Sequence, residues 1–207
     1  MDPRNELIAV DQLLAGKSFT YSVDWFRYVV LNDPSWDPAT YNSSLAILAD
    51  ELNPFDIRTF PSALPAFKAR GGKMITYHGG QDNQISCLNS DRFWTRMHVQ
   101  DTQPQDYYRL FRISGMFHCG SGPGAWSFGQ TNAALSAALP FDPLHNVVAA
   151  VITWVEDGEA PSCLRGTKFV NDTVALGVDF QRDHCLFPAI QTYFGGDYKS
   201  PSSWKCL

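Results

Sequence analysis

Gly71-Gly-Lys-Met-Ile-Thr-Tyr-His78-Gly-Gly-Gln-Asp82 is the stretch on which the reading of this chain turns. Met74, Ile75 and Tyr77 make an apolar run suited to a strand, and the glycine-rich turn at His78 to Asp82 breaks it, so Asp82 leaves the strand at its C-terminal end. Just before it, Ser62 is placed to cap a short helix carrying Leu64 and Phe67 on one side, and Gly71-Gly72 to end that helix in a left-handed turn. After it, Phe93, Trp94 and Met97 at helical spacing predict a helix over residues 90–99. A polar loop over 101–106 leads to a strand at 108–113, where Leu110 and Phe111 lie between Arg109 and Arg112, a pattern expected near one edge of a sheet. Ser114-Gly-Met-Phe-His118-Cys119-Gly-Ser-Gly-Pro-Gly124 follows, a loop with four glycines.

Farther out the signals thin. Asp142-Pro143 reads as a cap followed by proline at the first helical position, opening a helix that buries Leu144, Val147, Val148, Val151, Trp154 and Val155. Gly158 closes it and Pro161 prevents it from resuming. Residues 162–207 are aromatic and punctuated by Gly and Pro, with no repeat. Residues 1–61 read as an irregular segment with one or two short helices, and 62–207 as the organised core.

Composition narrows the classes of function. Sixteen Lys+Arg against 21 Asp+Glu leave a net charge of −5, which argues against a nucleic-acid binder held by a basic surface. With 44% hydrophobic and 18% charged residues the chain can bury a core. Its longest apolar run, residues 146–155, is about half of the ~20 residues a membrane span needs, so no membrane partner is expected. The start, Met-Asp-Pro-Arg-Asn-Glu, lacks the basic region and apolar stretch of a secretory signal, so either the protein is cytosolic or the natural chain begins elsewhere. Cysteines favour the second: Cys87, Cys119, Cys163, Cys185 and Cys206 show no CxxC zinc spacing, and an odd count leaves one without a partner inside the chain. Asn42-Ser-Ser and Asn171-Asp-Thr match the N-glycosylation pattern, in keeping with an oxidising compartment.

Strand, Asp82 loop, helix, strand, His118 loop is the order in which an α/β-hydrolase presents its triad acid and then its histidine. A carboxylate must accept a hydrogen bond from imidazole Nδ1–H so that Nε2 can take a serine's proton, and one helix and one strand between the two loops bring both to the same sheet edge. Any βαβ unit with an Asp and a His in its loops shares that spacing.

The residues themselves add more. The Gly71–Asp82 stretch, the run Tyr108-Arg-Leu-Phe-Arg-Ile-Ser-Gly-Met-Phe-His118-Cys119-Gly-Ser-Gly-Pro-Gly124, and Trp154-Val-Glu-Asp-Gly-Glu-Ala-Pro161 closely resemble the C-terminal part of the tannase and feruloyl esterase family. The resemblance runs from about Trp25 to Cys206 and is most specific in His-Cys-Gly-x-Gly-Pro-Gly. It implies an α/β fold, the C-terminal portion of an α/β-hydrolase core in a secreted serine esterase acting on small phenolic esters, with Asp82 as triad acid and His118 as triad base. It further implies that Cys119 is disulfide-bonded to a cysteine just before the nucleophilic serine, and that Cys185 pairs with Cys206 in a terminal loop disulfide worth about 3 kcal/mol. Cys87 and Cys163 are then left as a remaining candidate pair.

The sequence departs from the family at one place. No Gly-x-Ser-x-Gly and no Cys-Ser pair precedes His118, and Gly120-Ser121-Gly122 follows the histidine with the wrong order for a nucleophile elbow. The nucleophile, most of the lid and the family's lid calcium site are therefore expected upstream of residue 1. On that expectation the chain needs the N-terminal part of the same enzyme as partner, is inactive alone, and holds no metal or cofactor of its own.

Blander readings stand beside these. Asp82 could be a turn residue and His118 a surface histidine. His78, at a strand end near Asp82, is placed to line the site, and is expected to play a structural part or to support the residues that do the chemistry, while Asp106, His98, His145 and His184 read as solvated or locally bonded. The Trp25 to Val30 cluster and the Phe93, Trp94, Met97 face read as core, and Trp126 and Phe128 as packing or as a cover over an aromatic ester. The alternative function is a non-catalytic secreted fragment, a glycan-binding or scaffolding module using its 6 Trp and 8 Tyr as stacking surfaces.

Overall fold

The computed structural model describes residues 16–59, 64–130 and 133–207. They fall into two compact units, one up to residue 59 and one from residue 64. Ser62 lies outside the described residues.

In the first unit, α1 (Thr20–Asp24) runs into a π-helical turn at Trp25–Val30. The Phe26 ring sits 5.5 Å from Trp36 and 5.3 Å from Tyr41. Of the Trp25 to Val30 cluster only Val30 is buried, and Tyr28 is exposed, so the cluster is less of a core than its aromatic content suggests. Helix α2 (Ser43–Leu52) starts where the Asn42 carboxamide oxygen accepts from the N–H groups of Ser44 and Leu45, and stops where Asn53 turns left-handed at φ 37°.

The second unit is built around a parallel pair. Helix α3 (Pro65–Ala69) begins with proline and ends at Gly71, whose φ of 76° suits the turn. Strand β1 (Met74–Gly79) follows, then α4 (Leu88–Gln100), then β2 (Tyr108–Ile113). The two strands pair in parallel from Met74 opposite Tyr108 to Gly79 opposite Ile113, so their C-terminal ends lie side by side.

Period-two alternation in β2 assigns its side chains to two cores. Tyr108 and Leu110 pack with Phe93, Trp94 and Met97 of α4, as their spacing predicted. Phe111 and Ile113 face the other way, into a cluster with Met116, Trp126, Phe128, Ala150 and Leu164. The flanking arginines follow the same rule. Arg112 turns toward Asp91 of α4, while Arg109 lies over the Trp154 ring and donates to the carbonyl of Pro161.

The helix expected from Asp142 starts later. The Asp142 carboxylate does accept from the N–H groups of Leu144 and His145, but it closes only a turn, and Asn146 caps the helix proper, α6 (Val147–Glu156), which follows a short α5 (Ala133–Ala137). Its buried face carries Ala149, Ala150 and Trp154, whereas Val148 and Val155 are 48% and 59% exposed. In a helix apolar all round, small residues mark the side of close approach better than large ones do.

Residues 162–207 hold strands that their composition hid. β3 (Cys163–Phe169) and β4 (Val178–Cys185) form an antiparallel pair, and β5 (Gln191–Tyr193) pairs with β6 (Trp204–Cys206). Isolated bridges join Phe111 to Leu186 and Ser127 to Thr167, and Phe187 N–H donates to the Leu110 carbonyl at 2.8 Å. These contacts tie the parallel pair to the β3–β4 hairpin.

Cys185 and Cys206 form a disulfide between β4 and β6. Cys87 and Cys163 do not pair: both are free thiols. Cys87 precedes α4 and its sulfur accepts from Arg112 Nη2 at 3.0 Å, while Cys163 opens β3 directly across from Cys185. No helix among the described residues is long and apolar enough to cross a membrane.

Candidate active site

The ends of β1 and β2 carry one loop each. Gly80 N–H donates to the Ile113 carbonyl and Gln81 N–H to the Met116 carbonyl, which joins the loops by backbone alone. Gly79 makes this approach possible, since a Cβ there would collide with the carbonyl oxygens of Met116 and Phe117.

Asp82 and His118 meet where the loops meet. His118 Nδ1 donates to Asp82 Oδ2 at 2.8 Å, which leaves Nε2 on the far side of the ring with no partner among the described residues. The Asp82 side chain is 2% exposed and that of His118 33%, so the carboxylate is enclosed and the imidazole faces outward. Asp82 Oδ1 accepts from the N–H groups of Gln84 at 2.8 Å and Ile85 at 2.9 Å. Burial pushes the Asp82 carboxyl up, but the N–H of Ile85, the His118 imidazole and the N–H of Gln84 together outweigh it and hold the group below its ordinary value. The ion is therefore present at neutral pH, and its contribution is lost only as pH falls through that lowered value.

His78, at the end of β1, adds a contact to the same oxygen: its Nε2 lies 3.1 Å from Asp82 Oδ2, and its Nδ1 2.7 Å from Ser90 Oγ. Cys119 is exposed and free, with φ at 62°, and burial followed by the nearby Asp82 charge raises its thiol pKa. Tyr77, Met116, His118 and Cys119 line a cavity of about 100 Å³. That is below the ~300–1,000 Å³ of ordinary small-molecule pockets.

Residues far along the sequence hold the His118 loop. Lys168 Nζ donates to the Gly122 carbonyl at 2.6 Å and to Asp172, which also accepts from Trp126 Nε1 at 3.0 Å. Ser127 and Thr167 exchange backbone hydrogen bonds, and His184 Nε2 donates to the Ala125 carbonyl at 2.7 Å. Nothing in the local patterns around Lys168, Asp172 or His184 announces these bonds. Burial depresses the His184 pKa from 6.5 to about 4, so it is a neutral interior histidine and not a solvated one.

The other expected residues are placed as follows. His98 donates to the Trp94 carbonyl and His145 to Asp142, both local bonds. Trp126 and Phe128 are buried in the core. Asn42 and Asn171 are exposed, the first with its carboxamide oxygen committed to the α2 cap. Among the described residues no cluster of three or more His, Cys, Asp or Glu could hold a metal ion.

A carboxylate–imidazole pair at the C-terminal ends of two parallel strands, with the far ring nitrogen open, is chemically able to accept and pass on a proton. Residues 27–207 match the family "Tannase and feruloyl esterase". A probable feruloyl esterase B-2 of Aspergillus flavus is 49% identical over 191 residues, covering 90% of this chain and 36% of that protein. A second, from Aspergillus terreus, is 40% identical over 212 residues, covering all of this chain and 40% of its own. The crystal structure of feruloyl esterase B from Aspergillus oryzae superimposes with a TM-score of 0.87 at 35% identity, over 100% of this chain and 41% of that one. The chain belongs to the tannase and feruloyl esterase family, and spans about 40% of the length of these relatives.

Proposed function

We propose that this chain is the C-terminal part of the α/β-hydrolase core of a secreted feruloyl-esterase-type serine esterase, and that it supplies the acid and the base of the catalytic triad. The carrying observation is the 2.8 Å bond from His118 Nδ1 to an enclosed, ionised Asp82, with Nε2 left open. Nε2 first takes the proton from a serine hydroxyl supplied by the remainder of the enzyme, as the oxygen attacks the ester carbonyl. Nε2–H then protonates the leaving alcohol, and a water deprotonated by the same nitrogen clears the acyl-enzyme. Asp82 holds the imidazole with its proton on Nδ1 and stabilises the imidazolium that forms.

Phenolic esters are the proposed substrate class, by membership of the family. The size of the cavity supports a site completed by further chain, and the exposed Cys119 thiol beside His118 supports a disulfide to a cysteine next to the nucleophile. The chain by itself is expected to be inactive. The test is His118→Ala in an enzyme carrying this chain with its nucleophile-bearing segment: turnover of a hydroxycinnamoyl ester falls to background, and retained turnover rejects the assignment.

A further inference from the structure

We propose that His78 is a positioning residue of this site, one that fixes the Asp82 carboxylate for His118 and has its own tautomer set by Ser90. The proposal rests on the catalytic reading of Asp82 and His118. The proton inventory is determined by partners. His78 Nε2 lies 3.1 Å from Asp82 Oδ2 and 3.2 Å from the Ile85 carbonyl, both of which only accept, so Nε2 carries the proton. His78 Nδ1 at 2.7 Å then accepts from the Ser90 hydroxyl. Ser90 lies in the first turn of α4, so the helix between the two strands reaches back to orient the acid.

Both ring nitrogens of His78 are thereby committed within the protein, and its side chain is only 14% exposed. It has no nitrogen to offer a substrate, whereas His118 has one. Asp82 ends with four N–H donors, two backbone groups on Oδ1 and two imidazoles on Oδ2. The backbone pair pins one oxygen, and His78 stops the carboxylate from swinging about that pin, so Oδ2 stays aimed at His118 Nδ1. A misaimed carboxylate costs rate and not substrate affinity, because the imidazolium it stabilises exists only during the chemical step.

The test compares His78→Phe, which keeps the ring's bulk without a donor, with His78→Gln, which keeps an N–H donor in a smaller side chain. Both are made in the enzyme carrying this chain with its nucleophile-bearing segment. Expected for Phe is a fall in kcat on the order of 10-fold, short of the ~10²-fold that a 1 Å misplacement costs, with KM unchanged. Gln recovers most of it, and the low-field proton resonance of His118 Nδ1–H is kept in Gln and displaced in Phe. If His78 merely fills space the order reverses, with Phe near wild type and Gln worse, and that order overturns the proposal. Should the Phe variant fail to fold, Ser90→Ala carries the test: kcat falls with KM constant, and a wild-type kcat and resonance overturn it. Retained turnover in His118→Ala would instead defeat the catalytic reading, while the resonance, read in the proteins that keep His118, still reports on His78.

Discussion

His184 makes the stability of the His118 loop depend on pH, through a side chain well outside the proposed triad. It is 2% exposed, packs against the Phe128 ring at 6.2 Å, and donates to Ala125, the first residue past the loop. The charged groups bearing on it are Asp183, which favours the imidazolium, and Arg182, which opposes it, and burial outweighs both. A histidine held at about 4 in the folded chain and near 6.5 when unfolded takes up its proton first in the unfolded state. Its stabilisation is therefore full above about pH 6.5 and is lost as pH falls toward 4. At 1.36 kcal/mol per pH unit this amounts to about 3 kcal/mol. Urea unfolding of wild type and His184→Gln, which keeps a donor for Ala125 but does not titrate, isolates the effect, because carboxylates common to both cancel. The wild-type protein should lose about 3 kcal/mol more than the variant between pH 7 and pH 4. Equal pH slopes for the two proteins would refute the reasoning.

Three further outcomes are expected. Asp82→Asn, in an enzyme carrying the nucleophile, should lower kcat on the order of 10⁴-fold, since the amide favours the wrong imidazole tautomer; steady-state kinetics reads this directly. Gly79→Ala should cost about 1–3 kcal/mol in chemical unfolding, and lower kcat as well, because the new Cβ meets the carbonyls of Met116 and Phe117 and forces the Asp82 and His118 loops apart. Lys168→Met should cost about 2 kcal/mol by the same measurement and speed amide exchange at Phe117, whose N–H bonds Ser121 in the loop that Lys168 anchors.

The parallel pair was legible because it is written locally. Met74 to Gly79 and Tyr108 to Ile113 are short apolar runs, each stopped by glycine, and the helical spacing of Phe93, Trp94 and Met97 fills the gap between them. Asp82 and His118 could be placed at strand ends for the same reason. Helix α6 starts later than its sequence suggests because Asp142 and Pro143 make a genuine cap for a turn, and a second cap follows four residues on at Asn146. The β3–β4 pair escaped because Arg165, Gly166 and Lys168 interrupt any alternation. Gly166 has a reason visible only in three dimensions: a Cβ there would strike the Ala125 carbonyl and lie 2.6 Å from His184 Nε2. That Cys87 and Cys163 stay unpaired was equally out of reach, since pairing by elimination assumes every cysteine is oxidised.

Cys163 sits opposite Cys185 in the β3–β4 ladder, so the disulfide to Cys206 has a third sulfur as a near neighbour. Thiol–disulfide exchange needs a thiolate as attacker. Burial first, and then the Asp183 charge, push the Cys163 thiol up to about 12, against a smaller opposing pull from Arg165. At neutral pH only about one molecule in 10⁵ carries that thiolate. The folded strand pair thus acts as a kinetic guard, leaving a competent but disarmed nucleophile beside the bond, and shuffling to a Cys163–Cys185 isomer becomes accessible when the hairpin opens and the thiol meets water.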